Sequence, residues 1–271
     1  MTRQATLITS LTNDRIKAIR ALDMRKERKE TGLFVAEGAS ILMTARQHGF
    51  VPHTLVYQTN MGQTAVHRGL IADALDDGSD VLEVTELVLA KLASKENPQA
   101  MLGVFSQRWV NAPAPGKIDP KACWLALEEV RDPGNLGTII RTADAVGAAG
   151  LILIGNCCDA FAREAIRATM GSIFAIPLVR MSREDFLSWR SAWPGDVVGT
   201  HLDGREDFRK ASYRSPVLLM MGSEGPGLSE SLTRSCTKLV KIPMAGDLDS
   251  LNLAVATALT LYQIQGPALK L

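Results

Sequence analysis

Residues 124–154 read WLALEEVRDPGNLGTIIRTADAVGAAGLILI. Trp124-Leu125-Ala126-Leu127 and Leu151-Ile152-Leu153-Ile154 are short, nearly continuous apolar runs. Between them, residues 136–146 carry apolar side chains at helical spacing and close at Gly147. A strand, a helix and a second strand, with both strands apolar throughout, predict a parallel sheet covered on both faces. Working toward the C-terminus, further strands fit residues 175–179, 197–201, 217–221 and 239–242, and a last helix fits 251–265. The fold class expected for this half is therefore α/β with a parallel sheet.

Toward the N-terminus, residues 111–121 (NAPAPGKIDPK) hold three prolines and a glycine with little apolar content, and read as a linker. They divide the chain into 1–110, a linker at 111–121, and 122–271. The first part also alternates elements. Helices are expected over 14–29, 39–48, 63–74 and 86–93. Strands are expected over 33–36, 54–57, 81–84 and 101–107. This is a second, smaller α/β domain.

The whole chain has 271 residues, 46% of them hydrophobic and 22% charged, the balance of a globular protein. No apolar run reaches the roughly 18–20 residues that span a bilayer, and the N-terminus does not read as a signal peptide. Cys123, Cys157, Cys158 and Cys236 fit no zinc spacing. They read as reduced thiols of a cytoplasmic protein. The net charge of +1 announces no nucleic-acid partner. Local charge says more. Arg15, Lys17, Arg20, Arg25, Lys26, Arg28 and Lys29 face only Asp23 and Glu27. Such a strip suits RNA phosphates, or is simply a solvated helix face.

Three constellations follow apolar strands. The first is Asp132-Pro133-Gly134-Asn135 through Arg141, a turn and helix start at the carboxyl edge of a strand, where open α/β sheets hold ligands. Its plainer reading is that Asn135 caps the helix and Arg141 pairs with Asp144 or Asp132. The second is Met221-Gly222-Ser223-Glu224-Gly225-Pro226-Gly227, three glycines within six residues. It lets a ligand approach the backbone closely, or merely turns the chain. It is not G-x-G-x-x-G and follows a late strand, so a dinucleotide fingerprint fits poorly. The third runs from Lys241-Ile242-Pro243-Met244 through Ser250-Leu251-Asn252 to Leu253-Ala254-Val255-Ala256, where an Ala-rich helix starts. There Ser250 either caps the helix or joins Asn252 in holding a polar substrate group.

Taken together, NLGTIIRTADAVGA, MGSEGPGLS and IPMAGDLDSLNLAVATAL resemble the three signature motifs of the SpoU/TrmH family. These are RNA ribose 2′-O-methyltransferases of the SPOUT class. The resemblance covers about residues 120–266. Phe34-Val35-Ala36-Glu37-Gly38 and Asn97-Pro98-Gln99 also resemble the family's ribosomal-protein-like substrate-binding domain.

The resemblance implies a parallel sheet threaded into a trefoil knot, although knots are nearly absent from proteins in general. It implies S-adenosylmethionine held by the loops 221–227 and 242–251. Gly222, Ile242 and Leu251 would be contacts, with Met221, Gly225, Met244 and Thr200 beside them. It gives Arg141 the central catalytic role. A guanidinium is no ordinary base, so its sensible task is to grip a phosphate and stabilise developing alkoxide charge. Asn135, Ser250 and Asn252 would orient the ribose, and Glu224 would order the cofactor loop. His48, His53, His67 and His201 lie outside the motifs, so none is expected as a base, and no metal site is expected. The resemblance further implies a homodimer, with Arg15, Lys17, Arg25, Lys26, Arg28 and Lys29 meeting RNA. Ribosomal RNA is preferred over transfer RNA because of the N-terminal domain. A non-catalytic RNA-binding protein on this fold is disfavoured by the intact motif residues. A nucleotide-dependent oxidoreductase is disfavoured by the late glycine loop.

Overall fold

The computed structural model describes residues 4–60, 64–93, 100–247 and 250–269. It divides into two compact units, one of residues 1–107 and 159–174, the other of 108–158 and 175–271.

In the first unit the elements run β1 (Thr6–Ile8), α1 (Asp14–Ala21), α2 (Arg25–Thr31), β2 (Leu33–Glu37), α3 (Ala39–Gln47), β3 (Thr54–Gln58), α4 (Ala65–Asp76), β4 (Asp80–Val84), α5 (Glu86–Leu92) and β5 (Met101–Ser106). The sheet order is β1-β4-β3-β5-β2, with β5 antiparallel to both neighbours. The short strand β1 was not expected from the sequence. Asn97-Pro98-Gln99 lie outside the described residues.

The helix expected over 14–29 is two helices. Arg28 causes the break. Its Nη1 donates to the carbonyl oxygens of Leu22 (2.7 Å) and Asp23 (2.9 Å), which a continuous helix would have used itself. Its Nε and Nη2 both reach Asp159 Oδ2, at 2.8 and 2.7 Å. At α2's other end Gly32 takes φ 67°, a left-handed cap that glycine adopts without strain.

Residues 159–174 join this unit through side chains. Phe161 and Phe174 stack on Phe34 at centroid distances of 4.9 and 5.8 Å. The helix α7 (Arg163–Thr169) begins with Arg163, which pairs with Glu37 and Asp23.

The second unit continues with β6 (Cys123–Glu128), α6 (Pro133–Ala145), β7 (Gly150–Ile154), β8 (Leu178–Met181), α8 (Arg183–Arg190), β9 (Asp196–Thr200), β10 (Glu206–Asp207), β11 (Val217–Met221), α9 (Glu230–Ser235), β12 (Lys238–Lys241) and α10 (Leu253–Gln265). Its seven strands are all parallel, in the order β10-β12-β9-β11-β6-β7-β8. Strands β6, β7 and β11 are buried at every residue, as expected for a sheet covered on both faces. Trp124, Ala126, Ile152, Ile154, Val197, Leu218 and Met220 form one core with Phe186 and Trp193. The eighth strand begins at Leu178 and not near 175, because Ser172–Phe174 makes a 3-10 turn first.

The proline-rich stretch near 111–121 is anchored on the second unit. Val110 N–H bonds Leu178 O at 2.9 Å, and Trp189 Nε1 donates to Pro113 O at 2.8 Å. Arg180 lies 4.1 Å over the Trp109 ring.

The sheet order reverses between β6 and β11. From β6 the chain moves outward to β7 and β8, then crosses to β9, β11 and β12. Such a switch point, at the carboxyl ends of the strands, is where an open parallel sheet leaves room for a ligand.

Candidate active site

The three sequence constellations meet at that switch point. The glycine loop after β11 is a closed turn. Ser223 N–H bonds Gly227 O and Gly227 N–H bonds Ser223 O, both at 3.2 Å. Gly222 is required there, since a Cβ on it would stand 1.9 Å from the Gly227 carbonyl carbon. Glu224 sits at the tip, and its carboxylate reaches the start of α6. Oε2 accepts from Arg131 N–H (3.2 Å); Oε1 accepts from Asp132 N–H (3.3 Å) and Asn135 Nδ2 (3.2 Å). Burial pushes the Glu224 carboxyl up, but these donors, with its own backbone N–H, outweigh that and hold it below the usual carboxylate range.

Asp132, not Asn135, caps α6. Its Oδ1 accepts from Asn135 N–H at 2.6 Å, and Pro133 takes the first helical turn. The Asn135 carboxamide is thereby left to join the other motifs. While its Nδ2 donates to Glu224, its Oδ1 accepts from Asn252 Nδ2 at 2.9 Å. Asn252 in turn caps α10, its Oδ1 accepting from Ala254 N–H (2.9 Å) and Val255 N–H (3.3 Å). Of the two readings of Ser250 the cap is therefore set aside, and the helix starts at Leu253 and not at Leu251. One chain of hydrogen bonds, Glu224–Asn135–Asn252, ties together three segments 89 and 117 residues apart.

Arg141 lies further along α6. Ile139 and Ile140 are fully buried, whereas Arg141 is exposed and makes no ion pair with a described residue. The plainer alternative, a salt bridge to Asp132 or Asp144, is absent among the described residues. Ser250 is likewise exposed, and its hydroxyl has no partner among the described residues.

A cavity of about 200 Å³ opens between the loops. It is lined by Thr200, Met221, Gly222, Gly225, Ile242, Met244 and Leu251, together with Glu224 and Ser250. Asn135, Asn252 and Arg141 do not line it. His201 and Leu202, which sequence reasoning missed, line it too, as do Lys241, Leu253 and Ala256, which lie in the third constellation but were not named as contacts. They adjoin motif residues or the end of β9, so strand-end position is the signal that was available. The walls suit a nucleoside cofactor: Met221, Ile242 and Leu253 are apolar, and Gly225 leaves its main chain open, a Cβ there meeting nothing within 4 Å. Leu248 and Asp249 of the third motif fall outside the described residues.

Three of the four thiols are poor nucleophiles. Burial pushes those of Cys123 and Cys236 up to about 12, and that of Cys157 up as well.

In the first unit the basic strip separates into two kinds of residue. Arg28 is a correction: it is 5% exposed and committed to Asp159 and two carbonyls, so it cannot face RNA. Arg15, Lys17, Arg25, Lys26 and Lys29 are exposed. Arg15 pairs with Asp80, Lys17 with Asp14 and Lys26 with Glu30. Phe34, Val35, Ala36 and Glu37 are buried, so this segment builds the core of the unit.

An all-parallel α/β unit with a glycine loop and a helix N-terminus around one strand-end cavity has the layout of an enzyme that binds a nucleoside cofactor. The family model described as SpoU rRNA Methylase matches residues 122–262, more than half of the chain, and the MRM3-like substrate binding domain matches residues 13–103. The chain belongs to the SpoU rRNA methylase family. It is similar to a crystal structure described as an AdoMet bound rRNA methyltransferase from Sinorhizobium meliloti. The identity is 45% over 99% of this chain and 100% of that one, with a TM-score of 0.88. It is 29% identical to the Bacillus subtilis 23S rRNA (guanosine(2553)-2'-O)-methyltransferase RlmP, over 96% of this chain and 99% of that one. It is 32% identical to a 23S rRNA (uridine(2479)-2'-O)-methyltransferase of Streptomyces viridochromogenes, over 89% and 85% of the two chains.

Proposed function

We propose that the protein transfers a methyl group from S-adenosylmethionine to a ribose 2′-hydroxyl of ribosomal RNA. The observation that carries this reading is the cavity in which the second and third motif loops meet, at the carboxyl ends of β9, β11 and β12. Full-length similarity to 23S ribosomal RNA 2′-O-methyltransferases supports it. Those two relatives act on a guanosine and a uridine, so the family does not dictate the base.

S-adenosylmethionine supplies a methyl group on a sulfonium, ready for in-line displacement. The protein must then hold the 2′-oxygen about 3 Å from it and aligned. The seven expected contacts from Thr200 to Leu251 are assigned to the cofactor. Asn135 and Asn252 spend their carboxamides on protein partners. They therefore act by fixing where α6 and the Ser250 segment stand. The Ser250 hydroxyl is the group left to meet the ribose. Arg141 grips an RNA phosphate and stabilises the oxygen as its proton departs. A phosphate oxygen of the RNA accepts that proton. The trefoil knot belongs to the same reading, because threading brings loops 221–227 and 242–251 side by side.

A homodimer built through the second unit is part of the proposal. Leu251, Val255, Leu259 and Tyr262 are 37–50% exposed at helical spacing on and before α10, an apolar stripe suited to a second copy. No helix among the described residues is long and apolar enough to cross a membrane. A cytoplasmic location fits the substrate. The direct test maps 2′-O-methyl sites in total RNA with and without the protein. A single ribosomal site that disappears in its absence is expected; an unchanged map contradicts the proposal.

A further inference from the structure

We infer that His201 is a cofactor-binding residue, donating its Nε2–H to an acceptor atom of S-adenosylmethionine. The inference rests on the proposed function and adds an aromatic N–H donor to the cavity wall.

His201 follows β9 directly and lines the cavity beside Thr200 and Leu202. The chain around it is held on both sides. His201 N–H bonds Val240 O and Gly204 N–H bonds His201 O, each at 3.0 Å. The ring is oriented as well. Asp203 N–H donates to Nδ1 at 3.1 Å, so Nδ1 is an acceptor. A neutral imidazole that accepts at Nδ1 carries its hydrogen on Nε2. The Asp203 carboxylate is 3.6 Å from the same Nδ1, beyond hydrogen-bond length, and its side chain is 89% exposed. Nε2 has no partner among the described residues. The imidazole side chain is 24% exposed. A donor fixed at a cavity wall with its other edge already satisfied is preorganised for an acceptor on the ligand. Among the described residues, His201 is the histidine that lines this cavity.

Three variants test this by isothermal titration with S-adenosylmethionine and with S-adenosylhomocysteine, without RNA. His201→Phe keeps a ring but removes the donor. His201→Gln places an amide N–H near the position of Nε2, while His201→Asn places one only near Nδ1. Loss of one neutral hydrogen bond weakens binding by up to about tenfold. Phe and Asn should therefore bind about tenfold more weakly, and Gln within about threefold of the parent, with similar melting temperatures. If the Phe protein does not fold, the ratio between Gln and Asn carries the same test. Equal affinity for all three variants and the parent would overturn the assignment while leaving the proposed function standing. A parent protein that binds neither ligand would overturn both.

Discussion

Asn252 Nδ2 donates to Asn135 Oδ1 at 2.9 Å, and this bond joins the start of the last helix to the start of α6. The same asparagine caps α10 through its other side-chain atom. On the proposed function, stability and catalysis therefore draw on different atoms of one side chain. Asn252→Asp keeps the capping oxygens but faces a carboxylate toward Asn135 Oδ1. Its melting temperature should stay within a few degrees, and methyl transfer should fall by about tenfold or more. Asn252→Ala loses both, and should also lose about 1 kcal/mol of stability. Denaturation and single-turnover methylation on the same proteins separate the two effects. Equal activity of parent and Asp variant would show that the Asn135 link is idle.

Glu224 supplies a pH prediction. Its carboxyl ionises below the ordinary value of 4.5 in the folded protein. A lowered acid contributes stability that is fully present above the unfolded value and is lost as pH falls through the folded one. The melting difference between the parent and Glu224→Gln should thus be constant from pH 6 to 8 and shrink only below about 4.5. A difference that already changes between pH 6 and 8 would contradict the hydrogen-bond pattern at the α6 start.

Arg28 and Lys29 are neighbours in sequence with opposite expected behaviour. Arg28→Ala leaves Asp159 without its partner at a site where both side chains are almost wholly buried. Breaking such a pair costs about 3–5 kcal/mol. Lys29→Ala should leave stability unchanged within about 0.5 kcal/mol. It should weaken RNA binding and reduce its salt dependence by about one counterion. Urea denaturation and RNA affinity at two salt concentrations distinguish them. A stable Arg28→Ala protein with a lowered salt slope would restore Arg28 to the RNA surface.

Much of this architecture is legible in the sequence, and the reason is burial. Strands such as β6, β7 and β11, covered on both faces, have no polar position to blur their pattern. The glycine loop is legible because Gly222 admits no side chain. What was missed depends on distant partners. The break between α1 and α2 is held by Arg28, whose carboxylate partner lies 131 residues away. Residues 159–174 pack on β2 through phenylalanines that have no local signature. Ser250 and Asn252 are both good capping residues two positions apart, and Asn135, 117 residues away, decides between them. Seven positions expected to contact a cofactor line one cavity, because strand ends, which the sequence reveals, converge in a parallel sheet.

The central claim is that Arg141 acts on RNA and not on the fold or the cofactor. Its guanidinium is exposed, makes no ion pair with a described residue and does not line the cavity. The decisive measurement is single-turnover methyl transfer by Arg141→Ala, with S-adenosylmethionine affinity and melting temperature taken on the same sample. The account predicts unchanged melting, unchanged cofactor affinity and a rate lowered by about 100-fold or more, the scale for losing one preorganised charge-stabilising donor. Arg141→Lys should not restore the rate, because an ammonium lacks the fork that holds a phosphate at two points. A folded Arg141→Ala protein that methylates RNA at nearly the parent rate would contradict the account.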